Sequence, residues 1–231
     1  MLGKGGEVEG HDPLNYRDLI LGKEYWLEEQ ILKNPLEVAE RCVSKPVWIL
    51  GDPWRPEPWP GMRAPEALTA QELTRVEDCV KTMLGFRRLT TQPDPVTGAS
   101  ASNHVQLVGG GEGVARPHVD SARVCNVAGV LYLHPYPPTT HCGTSFYRLT
   151  LPNGQLGGNV CPPQFESISQ IPGMKDMEPG MWQEAVEVPY VFNRLLVYRS
   201  DIVHSATGYF GSTYELASKR MAVVFFWKAA G

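Results

Sequence analysis

The stretch Arg116-Pro117-His118-Val119-Asp120 decides how the rest of the chain is read. On an extended strand, side chains alternate with period two, so His118 and Asp120 point to the same side. One nitrogen and one oxygen ligand on one face make two thirds of a facial triad for non-haem Fe(II). The third ligand has to be a histidine from elsewhere in the fold. His204 stands in a suitable setting, shortly after the apolar run Leu195-Leu196-Val197-Tyr198. Pro117 biases Arg116 to an extended conformation and so aims His118 inward.

A second cue lies further on, where Arg220 opens the run Met221-Ala222-Val223-Val224-Phe225-Phe226-Trp227. A cation at the head of so apolar a strand is costly to bury unless it meets an anion. A guanidinium grips a carboxylate with two parallel hydrogen bonds, and the distal carboxylate of 2-oxoglutarate is such a partner. Tyr132, in the run Val124 to Leu133, can add a phenolic hydrogen bond to the same group. Three protein ligands on one face of Fe(II) leave three positions open, enough for a bidentate co-substrate and O2 together.

The bulk numbers agree with a globular chain. It has 231 residues, 42% hydrophobic and 20% charged, which suits one large domain with a substantial core. The net charge is -4 and no run of Lys or Arg exists, so nucleic acid is a poor partner. Five cysteines without CxxC spacing argue against a disulfide framework or a structural zinc site and fit a reducing cytoplasm. No stretch approaches the length of a membrane span, and no signal-peptide pattern opens the chain. The 23 Gly and 20 Pro favour many turns and short strands over a helical bundle.

Taken in order, residues 1 to about 15 read as a polar arm. Asn34 and Pro35 predict the start of an amphipathic helix with Leu36, Ala39 and Val43 on one face. The five prolines in 51–66 predict an irregular loop, in which Trp54, Trp59 and Arg63 either pin the chain or line a substrate mouth. Thr69-Ala70-Gln71-Glu72 is a capping box for a second helix with the stripe Leu73, Val76, Val80, Met83 and Leu84, stopped at Gly85. From residue 101 the period is that of strands: His104–Val108, Val124–Leu133, Thr144–Leu151, Glu184–Val188, Leu195–Tyr198 and Arg220–Trp227. The expected fold is mainly β (α+β): residues 101–231 as a jelly-roll core, with residues 1–100 as a helical and loop support packed on one sheet. Gly109 to Gly113 lacks a phosphate-loop pattern and reads as a tight strand-to-strand turn. The long stretch 152–183 is either functional or carries structure the pattern hides.

Other polar residues have two readings. Arg116, Arg123, Asn126, Arg148 and Arg194 are candidate substrate or co-substrate contacts. His134 and His141 flank a Pro-rich turn and can touch substrate or form a second metal site, although a structural or solvated role is the commoner one. Cys125 reads as core.

His118-Val119-Asp120, Leu131-Tyr132-Leu133, Gly143 ahead of a strand, His204 and Arg220 together resemble, in kind and order, the Fe(II)/2-oxoglutarate-dependent dioxygenases. The prolyl-4-hydroxylase-like branch is the most similar in order, and the likeness spans about residues 101 to 227. The resemblance implies a double-stranded β-helix in which His118, Asp120 and His204 bind iron and Arg220 and Tyr132 bind 2-oxoglutarate. It also implies oxidation of an unactivated C–H bond of a small molecule, amino acid or peptide, with decarboxylation of 2-oxoglutarate to succinate. The chain departs from that pattern in having Val108 near the place of a first-strand Tyr, with Gln106 as a polar substitute, and Ala222 in place of a Ser or Thr. Asp120 argues against halogenation, which goes with loss of the carboxylate. A cupin-type metal-binding jelly roll that uses no 2-oxoglutarate, and a non-catalytic binding module, are the alternatives; Arg220 separates the first of them.

Overall fold

The computed structural model describes residues 12–51, 59–93, 100–175 and 179–231. In chain order its strands are β1 (Tyr25–Glu28), β2 (Ile49–Leu50), β3 (Met62–Ala64), β4 (Arg88–Thr90), β5 (His104–Val108), β6 (Val127–Tyr132), β7 (Thr144–Leu149), β8 (Trp182–Val188), β9 (Leu195–Arg199), β10 (His204–Ala206) and β11 (Arg220–Ala230). The helices are α1 (Pro35–Val43) and α2 (Ala70–Leu84). A larger antiparallel sheet runs β1-β9-β6-β11-β5-β3-β2, with β4 paired to the end of β11, and a smaller one runs β10-β7-β8. The arrangement is a jelly roll.

The alternation of β11 explains the layers. Arg220, Ala222, Val224 and Phe226 face the cavity between the sheets. Met221, Val223, Phe225 and Trp227 face the other way, into a core shared with Val38, Ala39 and Cys42 of α1 and Val76 and Val80 of α2. The neighbours keep the same register: Gln106, Val130 and Tyr198 point to the cavity, while Leu107, Leu131 and Val197 join the helical side. A one-residue slip of β11 exchanges its two faces and buries Arg220 among the helices, so the register is strongly specified. Trp227 anchors the helical layer: it is fully buried, stacks on Phe225 at 5.0 Å, and donates its indole N–H to Glu77 of α2 at 3.0 Å. Gly129 makes room for it, since a Cβ there comes within 3.0 Å of the indole.

The capping box of α2 forms as the sequence predicts, with Gly85 in the left-handed region at φ 69. Helix α1 differs. Asn34 makes no side-chain cap bond and its amide reaches Glu37 instead. Val38, Ala39 and Cys42 are buried and Leu36 is exposed; the stripe is rotated because the sheet, not the helix period, selects the face. The Pro-rich stretch is not wholly irregular, because Met62 to Ala64 pair with Leu107 to Val105; Trp54 lies outside the described residues. Strands β1 to β4 were not expected in the N-terminal region, and they extend the larger sheet. Residues 121–126 form a turn, with Val124 and Cys125 N–H donated to Ser121, so β6 starts at Val127 rather than Val124. The glycine-rich segment is a turn closed by Glu112 N–H to Gly109 O, but it leads from β5 to the smaller sheet rather than joining adjacent strands.

Candidate metal centre

His118 sits beyond the edge of the smaller sheet and pairs directly with His204, the first residue of β10. The two exchange backbone hydrogen bonds, His118 N–H to His204 O at 3.0 Å and His204 N–H to His118 O at 2.8 Å. Both rings therefore leave the ladder on the same face, their centroids 4.5 Å apart. Arg116 N–H donates to Ser205 Oγ at 2.9 Å and Asp120 N–H to Ser200 O at 3.1 Å. These bonds keep the segment extended, so Asp120 returns to the side of His118 two residues on.

The donor atoms converge. His118 Nε2 is 3.9 Å from Asp120 Oδ1, and His204 Nε2 is 3.6 Å from Asp120 Oδ2. One ligand atom from each of the three lies within 4.8 Å of the others, and no further cluster of this kind exists among the described residues. His118 Nδ1 is 2.7 Å from Arg116 O and His204 Nδ1 is 2.9 Å from Ile202 O. A carbonyl only accepts, so each Nδ1 carries the proton and each Nε2 offers its lone pair. Asp120 Oδ2 is buried and accepts no hydrogen bond among the described residues. A buried carboxylate beside two imidazole lone pairs is costly without a positive partner, and a divalent cation among the three side chains offsets its charge. Two neutral imidazoles and one carboxylate on one face fit non-haem Fe(II).

Electrostatics point the same way. Burial lowers His118 to about 4, and the neighbouring His204 adds to the shift. Burial likewise lowers His204 to about 4. Burial raises Asp120 to about 6, opposed by His118 and by the Tyr198 hydroxyl. At neutral pH both rings are uncharged and the carboxyl is largely ionised, the protonation states a metal requires.

The triad opens on a cavity of about 530 Å³ walled by Trp59, Gln106, Arg116, Thr144, Tyr209 and Arg220 among others. Arg220 is buried. Its Nε donates to Cys142 O at 2.7 Å and one terminal nitrogen to Gly143 O at 2.9 Å. The guanidinium also lies 5.6 to 5.8 Å from the ring centres of Tyr132, Tyr190 and Tyr209. No carboxylate pairs with it among the described residues. Gly143 is required for this cradle, because a Cβ there falls 1.9 Å from Val188 O. Tyr132 is fully buried beside Arg220, its hydroxyl donated to Thr144 Oγ1 at 2.9 Å.

Not every candidate from the sequence reaches this place. Trp59, Arg116 and Gln106 are in the wall, and Trp59 meets the His118 ring edge-on at 5.7 Å. Arg63 is the ladder partner of Gln106 but is outside the wall. Asn126 uses both ends of its amide on the Ala229 backbone. Arg123 pairs with Glu166, Arg194 with Glu29, and Arg148 donates to the carbonyls of Leu156 and Gly157. His134 packs edge-on to Phe210 and His141 pairs with Glu187 on the surface. Sequence reading missed Thr144, Tyr209 and Tyr198 as wall residues; the long 152–183 stretch, for which a functional role is one of the two readings, contributes Ser167 to Ser169, Met174 and Lys175 to the wall. Tyr198 was legible: two residues after Leu196, it shares that residue's inward face.

A family model described as a family of unknown function, DUF6445, matches residues 52–208. No curated protein matches the chain. Among solved structures, the epimerase SnoN in complex with Fe3+, alpha ketoglutarate and nogalamycin RO is similar at 14% identity and TM-score 0.47, over 88% of this chain and 78% of that one. A prolyl hydroxylase from Trichoplax adhaerens, in complex with a hypoxia inducible factor peptide fragment, is similar at 12% identity and TM-score 0.47, over 88% and 83%. A Pseudomonas putida prolyl-4-hydroxylase is similar at 14% identity and TM-score 0.46, over 90% and 94%.

Proposed function

We propose that this chain, which belongs to the DUF6445 family of unknown function, is an Fe(II)- and 2-oxoglutarate-dependent dioxygenase that hydroxylates a C–H bond of a small molecule, amino acid or peptide. The observation that carries the reading is that one cavity holds both the His118–Asp120–His204 cluster and the buried Arg220, which pairs with no carboxylate among the described residues. Fe(II) held by three ligands, with 2-oxoglutarate and O2, supplies oxidation of a C–H bond coupled to decarboxylation of the co-substrate to succinate.

The chain's own residues supply the rest. His118 and His204 enter as neutral donors and Asp120 contributes one negative charge. Arg220 receives the distal carboxylate of 2-oxoglutarate, its geometry already fixed by the Cys142 and Gly143 carbonyls. Because Thr144 Oγ1 accepts from Tyr132, its own proton is directed elsewhere, and the cavity is where the hydroxyl lies. Thr144 thus supports the carboxylate that Tyr132 orients only indirectly. Gln106 adds an amide to the same wall. Val130, Ala222, Val224 and Phe226 make the floor apolar, which excludes water from the reacting centre. A reducing cytoplasm fits the five cysteines, all of them free.

The test is succinate formation from 2-oxoglutarate with Fe(II), O2 and ascorbate, screened against amino acids, peptides and small acids. Turnover that is lost in Arg220→Ala, while metal binding persists, supports the reading. Metal binding with no succinate from any mixture favours a metal-binding jelly roll of cupin type.

A further inference from the structure

Tyr198 ends the inward row of β9, and the chain then turns through 200–203 into β10, so that Tyr198 and His204 face each other across the turn. The phenol is buried, its ring 4.5 Å from the His204 ring. Its hydroxyl lies 2.9 Å from His204 Nε2. That nitrogen has no proton, because Nδ1 donates to Ile202 O, so the phenol is the donor. Yet Nε2 is the atom the metal takes. The nearby Asp120 Oδ2 is buried without a hydrogen-bond partner among the described residues, 3.6 Å from the same Nε2.

We propose that Tyr198 is a positioning residue for the metal: when an ion takes His204 Nε2, the Tyr198 hydroxyl turns to Asp120 Oδ2 and holds that oxygen off the ion. The hydroxyl meets His204 Nε2 at 2.9 Å and that nitrogen is 3.6 Å from Asp120 Oδ2, so the two acceptors are neighbours and the phenol has one proton to give to either. The exchange satisfies the one buried oxygen of the triad that is otherwise unpaired. A carboxylate that binds through a single oxygen occupies one coordination position instead of two, which keeps the remaining positions available. This rests on the metal reading of the triad but not on any oxidation reaction.

Mn(II) binding to the full chain, followed by electron paramagnetic resonance without co-substrate, tests it. Tyr198→Phe is expected to bind Mn(II) about 10- to 100-fold more weakly than the wild type, the usual effect of removing a group that orients a metal ligand. Thermal unfolding of the metal-free variant reports that the fold is intact. Equal or tighter binding overturns the proposal and leaves the hydroxyl as a stopper for the metal-free site. A second readout compares the two proteins loaded with Fe(III): the wild type is expected to lack a visible phenolate-to-iron band, and a strong band there that Tyr198→Phe loses overturns the proposal by making Tyr198 a ligand. If the wild type binds no Mn(II), the metal reading fails with it. If the wild type binds and the variant matches it, only the role of Tyr198 fails.

Discussion

His118 and His204 are direct partners in an antiparallel ladder, exchanging both of their backbone hydrogen bonds. Their spacing is set by main-chain geometry, and the side chains are free to act as ligands without holding the sheet together. His118→Ala is therefore expected to remove metal binding while leaving the metal-free protein within about 1 kcal/mol of wild-type stability, since the side chain is a third exposed (35%). Mn(II) titration and chemical unfolding of the metal-free forms check both halves. In the wild type, metal at about a hundred times its Kd should add about 2.7 kcal/mol, and the variant should gain nothing.

Arg220→Lys separates charge from geometry. The lysine keeps the cation but loses the fork that serves the Cys142 and Gly143 carbonyls and a bound carboxylate at once. The Michaelis constant for 2-oxoglutarate is expected to rise by about tenfold or more, with Mn(II) affinity unchanged. An unchanged constant removes Arg220 from the co-substrate site. Arg220→Ala should also cost about 1–3 kcal/mol of stability, because two carbonyls lose their donors.

Acid should release the metal early. Asp120 is raised to about 6, and the metal binds its ionised form, so protons compete from about pH 6 downward rather than from near 4. Affinity is expected to be flat with respect to this group above pH 6 and to fall about tenfold per pH unit below it. In the metal-free protein the two histidines, held near 4, take up protons more readily when unfolded. Their contribution to stability is present above about 6.5 and is lost as pH falls toward 4. The raised Asp120 acts in the opposite direction, and because His118 is a third exposed its share is screened, so the three groups together should change stability little on acidification. Mn(II) affinity between pH 5 and 8 and urea midpoints between pH 4 and 7 check the two trends.

The juxtaposition of His118, Asp120 and His204 could be read from the sequence because its geometry is local on both sides: a period-two pair at 118 and 120, and a histidine where an apolar strand ends. The two faces of β11 were legible for the same reason. Strands β1 to β4 were not, since two to four residues carry little pattern and owe their form to the long strands beside them, as Met62 to Ala64 do to β5. Helix α1 has nine residues, too few for the period to choose between a stripe through Leu36 and one through Val38. Thr144 became visible only once Tyr132 was seen to donate to it, a contact between strands that no spacing announces.

Lys219 and Glu112 form an ion pair that is almost wholly buried (0% and 1% side-chain exposure), tying the glycine-rich turn to the residue before Arg220. Glu112 also accepts the Gly109 N–H at 2.7 Å, and Gly110 N–H bonds Gly211 O at 3.0 Å, so the pair closes two loops onto each other. Removing one partner leaves the other charge buried, which costs about 3–5 kcal/mol. Lys219→Met is therefore expected to destabilise by about that much. Lys219→Met with Glu112→Gln should recover part of the loss, because the amide is neutral and still accepts from Gly109. Urea unfolding of the two variants and of Glu112→Gln alone checks this, and single and double variants of equal stability would mean the pair contributes through packing and not through charge. Because Arg220 follows Lys219 directly and its own N–H bonds Phe210 O at 3.1 Å, the single variant should also loosen 2-oxoglutarate binding while leaving Mn(II) affinity unchanged.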